Sequence, residues 1–291
     1  MSERVGILGA GLMGSQIGCE YALAGHRVVW FARERERAQQ RIEGALATAL
    51  GRGLAQEAQV ARARGLMSFA EDEVAPLQLI VESLPERLEL KAEVLGPLAA
   101  EHADAVIATN TSSISITALG EAAGVPERIL GTHYWNPPLL MPLVEVVAGR
   151  GTPVELRERV LALLRGIGKR PVLLEHEVPG LLWNRLQLAV LRECLWLVEN
   201  GVATPETIDE VMRDGLARRW RLTGPFETVG LGGAGTFDAI AENLFPVLSD
   251  ARAGSGFAGH VPTDPQLLRA LRERRDDALA SELKAERREG G

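Results

Sequence analysis

Gly9-Ala10-Gly11-Leu12-Met13-Gly14 places three glycines in a G-x-G-x-x-G pattern. An apolar run from Arg4 to Leu8 precedes it, a helix-period segment opens on it, and a second apolar run, Arg27 to Phe31, follows. In that context the pattern predicts a dinucleotide site. Gly9 allows the tight turn and Gly11 lets the backbone approach a pyrophosphate. Gly14 allows close packing of helix on strand. Leu12 and Met13 open the helix, whose free N–H groups and positive dipole end attract phosphate. The ordinary alternative is a Gly-rich turn. At the end of the second strand an NAD site carries Asp or Glu for the ribose 2′-OH. Here Ala32 and Arg33 stand there, with Arg35 and Arg37 nearby. Arginine suits a 2′-phosphate, whereas Glu34 or Glu36 reaching the ribose would suit NAD. NAD and NADP both remain open.

The elements that hold this turn are legible in the hydrophobic pattern. Arg4 to Leu8 and Arg27 to Phe31 read as strands, and Leu12 to Ala24 reads as a helix. A charged, Ala-rich stretch from Glu34 to Arg64 predicts two helices broken near Gly51 and Gly53. Gln78 to Glu82, Ala105 to Thr109, Ile129 to Thr132, Val144 to Val147 and Val172 to Leu174 are further strands, with helices between several of them. Strands alternating with helices predict an α/β Rossmann-type domain with a mostly parallel sheet covered on both faces. Residues 1–178 form that domain. After the Pro179-Gly180 break nearly everything reads as helix, so 179–291 is expected to be an all-α domain for substrate and dimerisation. Leu181 to Asn200 is apolar on much of its circumference and is expected to be buried. Thr204 with Pro205 reads as an N-cap and first helical position. Gly230 to Gly235 reads as a loop, and Asp264 to Gly291 as a charged helix that frays. No internal repeat is present.

Apolar residues make up 46% and charged residues 24% of the 291, the balance of a globular protein with a large core. The formal net charge of −7 argues against nucleic acid or an anionic membrane as partner. Cys19 and Cys194 sit in apolar helical patterns and are expected to be buried free thiols. No Cys/His spacing fits a metal site, and no metal is expected. No apolar run reaches the roughly 20 residues of a bilayer span. The first strand starts too close to Met1 for a signal peptide. The cytoplasm is therefore the expected compartment.

The segments GILGAGLMG, VESLPERLELK, ATNTSSI, GTHYWNPPLLMPLVEVV, PGLLWNRL and TGPFE occur in this order over about residues 5 to 230. Together they resemble the 3-hydroxyacyl-CoA dehydrogenase family. The resemblance implies reversible NAD(P)-dependent oxidation of a 3-hydroxy compound to the 3-keto product by a His–Glu pair, at the positions of His133 and Glu145. Oxidising an alcohol removes a hydride from carbon and a proton from oxygen. A neutral imidazole, of ordinary pKa about 6.5, is well matched to take that proton. A carboxylate on the far ring nitrogen fixes the tautomer and stabilises the imidazolium. The resemblance further implies that Ser112 and Asn184 hydrogen-bond the substrate oxygen. It puts Asn110 and Asn136 near the nicotinamide and its ribose, and Glu86 and Lys91 on the cofactor side. Each has an ordinary alternative: Ser112 and Ser113 as helix caps, Lys91 as a solvated charge paired with Glu86 or Glu89, His133 as a structural histidine.

The substrate is less determined. Glu34 to Arg64 contains no lysine, whereas the acyl-CoA members carry CoA-binding lysines there. Leu84-Pro85-Glu86, Pro137-Pro138, Asp214-Gly215-Leu216 with Arg218-Arg219-Trp220, and the tail Arg274-Arg275-Asp276 with Leu283-Lys284 resemble the lambda-crystallin, L-gulonate 3-dehydrogenase and carnitine dehydrogenase branch, which implies free 3-hydroxy acids. Arg219 is the candidate clamp for a substrate carboxylate; a favourable charge at a helix end is the alternative. Tyr134-Trp135 departs from both branches. Two rivals remain: a beta-hydroxyacid dehydrogenase with a lysine base, for which Lys91, Lys169 and Lys284 are the only lysines, and a non-catalytic, crystallin-like dinucleotide-binding protein. The apolar helix from Leu181 to Val198 predicts a homodimer.

Overall fold

The computed structural model describes residues 2–71, 74–252 and 257–289. The chain divides into two compact units, Met1–Leu182 with Ala270–Gly291, and Trp183–Arg269.

The first unit runs β1 (Arg4–Leu8), α1 (Leu12–Leu23), β2 (Arg27–Phe31), α2 (Arg35–Gly51), α3 (Glu57–Arg64), β3 (Met67–Phe69), β4 (Leu79–Glu82), α4 (Leu88–Glu101), β5 (Val106–Thr109), α5 (Ile116–Ala122), β6 (Ile129–Tyr134), β7 (Leu143–Ala148), α6 (Val154–Gly166) and β8 (Arg170–Leu174). The strands form one sheet in the order β3-β2-β1-β4-β5-β6-β7-β8. Among the described residues only the β6–β7 pairing is antiparallel. Trp135 to Pro142 is too short a link for a crossover helix, which needs about a dozen residues or more, so the chain must reverse there. Between β1 and β4 the strand order changes direction. In open sheets that switch point, at the carboxyl ends of the strands, is where a ligand crevice forms.

Alternate residues of the central strands enter two separate cores. Leu79, Val81, Val106 and Ala108 pack with Ile17, Trp30, Ile42 and Leu46 on one face. Ile80 and Ile107 pack with Leu95, Leu119 and Ile129 on the other. Both faces are thus buried, which explains why these strands read as unbroken apolar runs.

The other unit is helical: most of α7 (Leu181–Glu199), then α8 (Pro205–Glu210), a π-helical stretch Val211–Leu216, α9 (Ala217–Trp220), α10 (Pro225–Gly232) and α11 (Ala234–Leu244). The Thr204 hydroxyl caps α8, accepting from the Thr207 N–H at 3.3 Å. The last helix, α12 (Pro265–Glu289), falls mostly in the first unit. There Arg52 pairs with Asp276 and Asp277, and Arg170 with Glu286. The sequence instead assigns all of 179–291 to the helical domain. Gly290 and Gly291, in the segment expected to fray, lie outside the described residues.

Several local expectations need correction. The three-residue β3 was not foreseen, being too short to show a period. Gly230 to Gly235 is not a loop: α10 continues to Gly232, and the break is confined to Gly233, at φ +87°. Arg218 and Arg219 lie in the last turn of α9, where the helix-end alternative for Arg219 places a charge. In α7 only Leu181 is buried, and Leu186 is 66% exposed. Cys194 is half-buried, while Cys19 is buried; both are free thiols.

Helix α1 lies close on the sheet because Gly18 faces Trp30. A Cβ at Gly18 would stand 2.1 Å from Trp30 Cη2, and Trp30 is fully buried. Gly44, on the exposed side of α2, has nothing within 4 Å of such a Cβ. Gly18→Ala is therefore expected to destabilise the protein by about 1–3 kcal/mol through overpacking. Gly44→Ala is expected to stabilise it by roughly 0.5–1 kcal/mol through helix propensity. Denaturant midpoints check both, and equal effects would contradict the packing argument.

Candidate active site

The glycine turn joins β1 to α1. Gly9 has φ +89°, and a Cβ there would lie 2.8 Å from the Ser83 carbonyl oxygen. A Cβ at Gly14 would lie 1.9 Å from the Gly9 oxygen, so no side chain fits either position. Gly11 is different: nothing stands within 4 Å of its Cβ direction, so the space above the turn is open. Gly11 is also the N-cap of α1, with no side-chain cap bond and no acidic residue in the first turn. That leaves a helix end suited to an anion. A cleft of about 1010 Å³ opens over it, lined by Gly9, Gly11, Leu12 and Met13. Ala32, Arg33 and Glu34 after the end of β2 line it too, with Arg37 and Arg41 of α2. These residues fit a dinucleotide.

A buried polar network lies along the ends of β4 and β5. Glu82, with no exposed surface, accepts from Lys91 Nζ at 2.7 and 2.9 Å and from the Thr109 hydroxyl at 2.6 Å. Lys91 also donates to the Leu84 carbonyl at 3.1 Å and sits 3.3 Å from Glu86. It is 1% exposed. The structure thus places Lys91 beneath the cleft, neither in contact with it nor solvated.

Glu86 acts as a hub. It accepts from the Thr111 hydroxyl at 2.6 Å and from the Ser112 and Ser113 N–H groups, both at 2.9 Å. Burial alone would raise its pKa. The Thr111, Ser112 and Ser113 hydrogen bonds and the Lys91 charge outweigh that and hold it down at about 2. Neither Ser112 nor Ser113 caps α5; Ser115 does, accepting from the Ala118 N–H at 3.1 Å. Beside Ser112 a cavity of about 300 Å³ is lined by residues 111–116 and 177–181. Glu177 fixes the start of α5 from that side, accepting from the Thr117 hydroxyl at 2.7 Å.

His133 and Glu145 are directly paired residues of β6 and β7. His133 Nδ1 lies 2.7 Å from Glu145 Oε2. The same oxygen accepts from the Trp135 indole N–H at 3.3 Å, and Oε1 accepts from the Leu182 N–H at 2.8 Å. His133 is 7% and Glu145 1% exposed. A carboxylate only accepts, so the shared hydrogen belongs on Nδ1. His133 Nε2 has no protein hydrogen-bond partner among the described residues. Asn110 Oδ1 accepts from the Tyr134 N–H at 2.8 Å, which ties β5 to this strand end. Asn136 is exposed and precedes Pro137 in a cis peptide bond.

The turn after His133 is pinned from below. Lys169 Nζ donates to the Pro138 and Met141 carbonyls at 2.7 and 3.0 Å and forms a buried ion pair with Glu20 of α1. Burial pushes the Glu20 carboxyl up to about 7 against the pull of Lys169, and burial lowers Lys169. The fixed helix behind the glycine turn is thereby tied to the segment carrying His133. Asn184, in the first turn of α7, and Arg219, in α9, belong to the other unit. Arg219 is exposed, with no ion pair or side-chain hydrogen bond among the described residues.

Sequence reasoning missed Glu82, Trp135, Lys169 with Glu20, and Glu177. Glu82 had a signal: a carboxylate ending the apolar run LIVE needs a buried partner. Lys169 with Glu20, and Glu177, had none, because their partners are distant in the chain. Among the described residues no cluster could hold a metal ion, and no helix is long and apolar enough to cross a membrane.

Residues 4–178 match the family model for the 3-hydroxyacyl-CoA dehydrogenase NAD binding domain, and residues 180–267 match that for the C-terminal domain. L-carnitine dehydrogenase of Streptomyces coelicolor is 35% identical over 84% of this chain and 79% of its own length. Lambda-crystallin of Oryctolagus cuniculus is 31% identical over 97% and 95%. The crystal structure of 5-formyl-3-hydroxy-2-methylpyridine 4-carboxylic acid 5-dehydrogenase, described as an NAD+ dependent dismutase, is similar with a TM-score of 0.84, 28% identity and 97% of each chain covered. The glycine turn, the strand order and both matched domains agree, and the chain belongs to the 3-hydroxyacyl-CoA dehydrogenase family of NAD-dependent oxidoreductases.

Proposed function

We propose that this chain is a catalytically active dehydrogenase interconverting a 3-hydroxy acid, or its acyl-CoA thioester, with the 3-keto product. The observation that carries this reading is the buried His133–Glu145 contact of 2.7 Å, with Nε2 left without a protein partner among the described residues. When bound, the nicotinamide dinucleotide supplies the hydride acceptor. His133 Nε2 takes the hydroxyl proton in oxidation and returns it in reduction. Glu145, fixed by the Leu182 N–H and the Trp135 indole, holds the ring and stabilises its charged form. Ser112 offers its hydroxyl to the substrate oxygen, since its 3.4 Å contact with Glu86 is weak while its N–H is held firmly. Asn184 shares that task. Asn110 and Asn136 border the nicotinamide end. Glu86 shapes the loop on the cofactor side, and Lys91 acts there only through Glu86 and Glu82.

The free-acid branch is supported by the likeness to L-carnitine dehydrogenase and by the guanidinium of Arg219, which has no partner among the described residues. A homodimer is supported by large apolar side chains left exposed on the helical unit: Leu222 is 83%, Phe226 91%, Leu231 79% and Phe245 72% exposed. Monomeric proteins rarely leave such surface in contact with water.

Three outcomes are expected. With a turning-over 3-hydroxy substrate, followed at 340 nm, His133→Ala lowers kcat by about 10²–10⁴-fold, the usual contribution of general acid–base catalysis; a wild-type protein inert toward both free acids and CoA thioesters would instead favour a crystallin-like, non-catalytic role. Arg219→Ala raises KM for a free acid by roughly 10-fold or more, through loss of a charge-assisted contact, and an unchanged KM removes Arg219 from the site. Light scattering gives the mass of two chains, whereas a one-chain mass contradicts the dimer.

A further inference from the structure

We infer that the dinucleotide cleft selects the 2′-phosphorylated cofactor, NADP(H), through Arg33 with support from Arg37 and Arg41. The inference rests on the dehydrogenase reading, and it departs from the NAD named in the matched domain model at one place in the chain.

That place is the carboxyl end of β2. The adenosine ribose of a dinucleotide bound over the glycine turn meets this strand end. A 2′-hydroxyl is recognised by a carboxylate there, and this chain has Ala32, which lines the cleft and offers no acceptor side chain. Arg33 follows that strand end, and Arg37 and Arg41 of α2 line the same cleft. Of the two carboxylates here, Glu34 is engaged by Arg37 at 3.3 Å, and Glu36 lies in the first turn of α2 and is not among the residues lining the cleft. The other carboxylates lining the cleft, Glu93 and Glu101, come from α4 and not from the strand end.

The individual arginines divide the work. Arg35 is turned away, donating to the Ala70 carbonyl at 2.6 Å and lying over the Phe69 ring. Arg41 reaches back to the glycine turn and donates to the Ala10 carbonyl at 3.3 Å. Its charge therefore stands between the turn and the strand end. Arg33 is exposed and has no ion pair or side-chain hydrogen bond among the described residues. A guanidinium fork of this kind matches a phosphate bidentately, and a ribose hydroxyl gives it no charge to meet. A phosphate monoester carries about −1.5 to −2 at neutral pH. It gives Arg33 the charged partner that a 2′-hydroxyl does not supply.

The test measures binding, so it does not depend on finding the substrate. The full-length protein is titrated with NADPH and with NADH, following nicotinamide fluorescence at fixed ionic strength. NADPH is expected to bind at least 10-fold more tightly than NADH. Arg33→Ala, a surface change that leaves the core untouched, is expected to weaken NADPH by 10-fold or more and NADH by less than threefold. Ala32→Asp is expected to shift the preference toward NADH by supplying the missing acceptor and repelling the 2′-phosphate. A wild-type preference for NADPH below 10-fold, a preference for NADH, or a preference that survives Arg33→Ala overturns the inference while leaving the dehydrogenase reading intact. Binding of neither dinucleotide overturns both.

Discussion

A carboxylate with 1% of its surface exposed must be met by donors, because an isolated buried charge is far too costly to keep. Glu145 is met by an imidazole, an indole and a backbone N–H. The imidazole comes from the residue directly opposite on β6. That pairing exists because the chain reverses between Trp135 and Pro142, making an antiparallel contact at one end of a run of parallel strands. The backbone donor comes from Leu182, at the start of α7. The same carboxylate thus orients the histidine and satisfies an N–H of a helix's first turn, which has no partner within its own helix. Removing it would leave buried donors unpaired at both places.

The surrounding structure keeps this pair in place through a second and a third buried charge. Lys169 fastens the turn after His133 to Glu20 on α1, and Lys91 fastens Glu86 and the serine loop to Glu82 at the end of β4. Both lysines are almost wholly buried, and both hold backbone carbonyls as well as carboxylates. Such pairs add little net stability over apolar replacements, but breaking one side is costly. Their value here is positional. The glycine turn, the serine loop and the histidine strand are each built on the same sheet edge and tied to it by a charge that has nowhere else to go.

Much of this was legible in the residues themselves. The β1–glycine–α1–β2 unit follows from two apolar runs and three glycines, and the structure shows why each glycine is there. His133 and Glu145 were found by resemblance, and strand alternation near them was consistent with a sheet edge. Lys91 shows the limit. Its spacing from Glu86 and Glu89 reads equally well as a solvated helix pair, and only the fold reveals that the first turn of α4 faces inward over Glu82. Gly230 to Gly235 reads as a loop because each glycine costs a helix about 1 kcal/mol, yet the helical conformation is interrupted only at Gly233. The burial expected for α7 rested on apolar content alone, which does not say what covers the face. Lys169 and Glu20 lie too far apart in the chain for any local pattern to join them.

The central claim is that Glu145 fixes His133 with its hydrogen on Nδ1, leaving Nε2 as the acceptor. Nitrogen-15 NMR of the His133 ring at pH 8 reads this directly. The account predicts a protonated Nδ1 and an unprotonated Nε2 in the wild type, with that preference lost in Glu145→Ala. A wild-type ring carrying its hydrogen on Nε2 would contradict it.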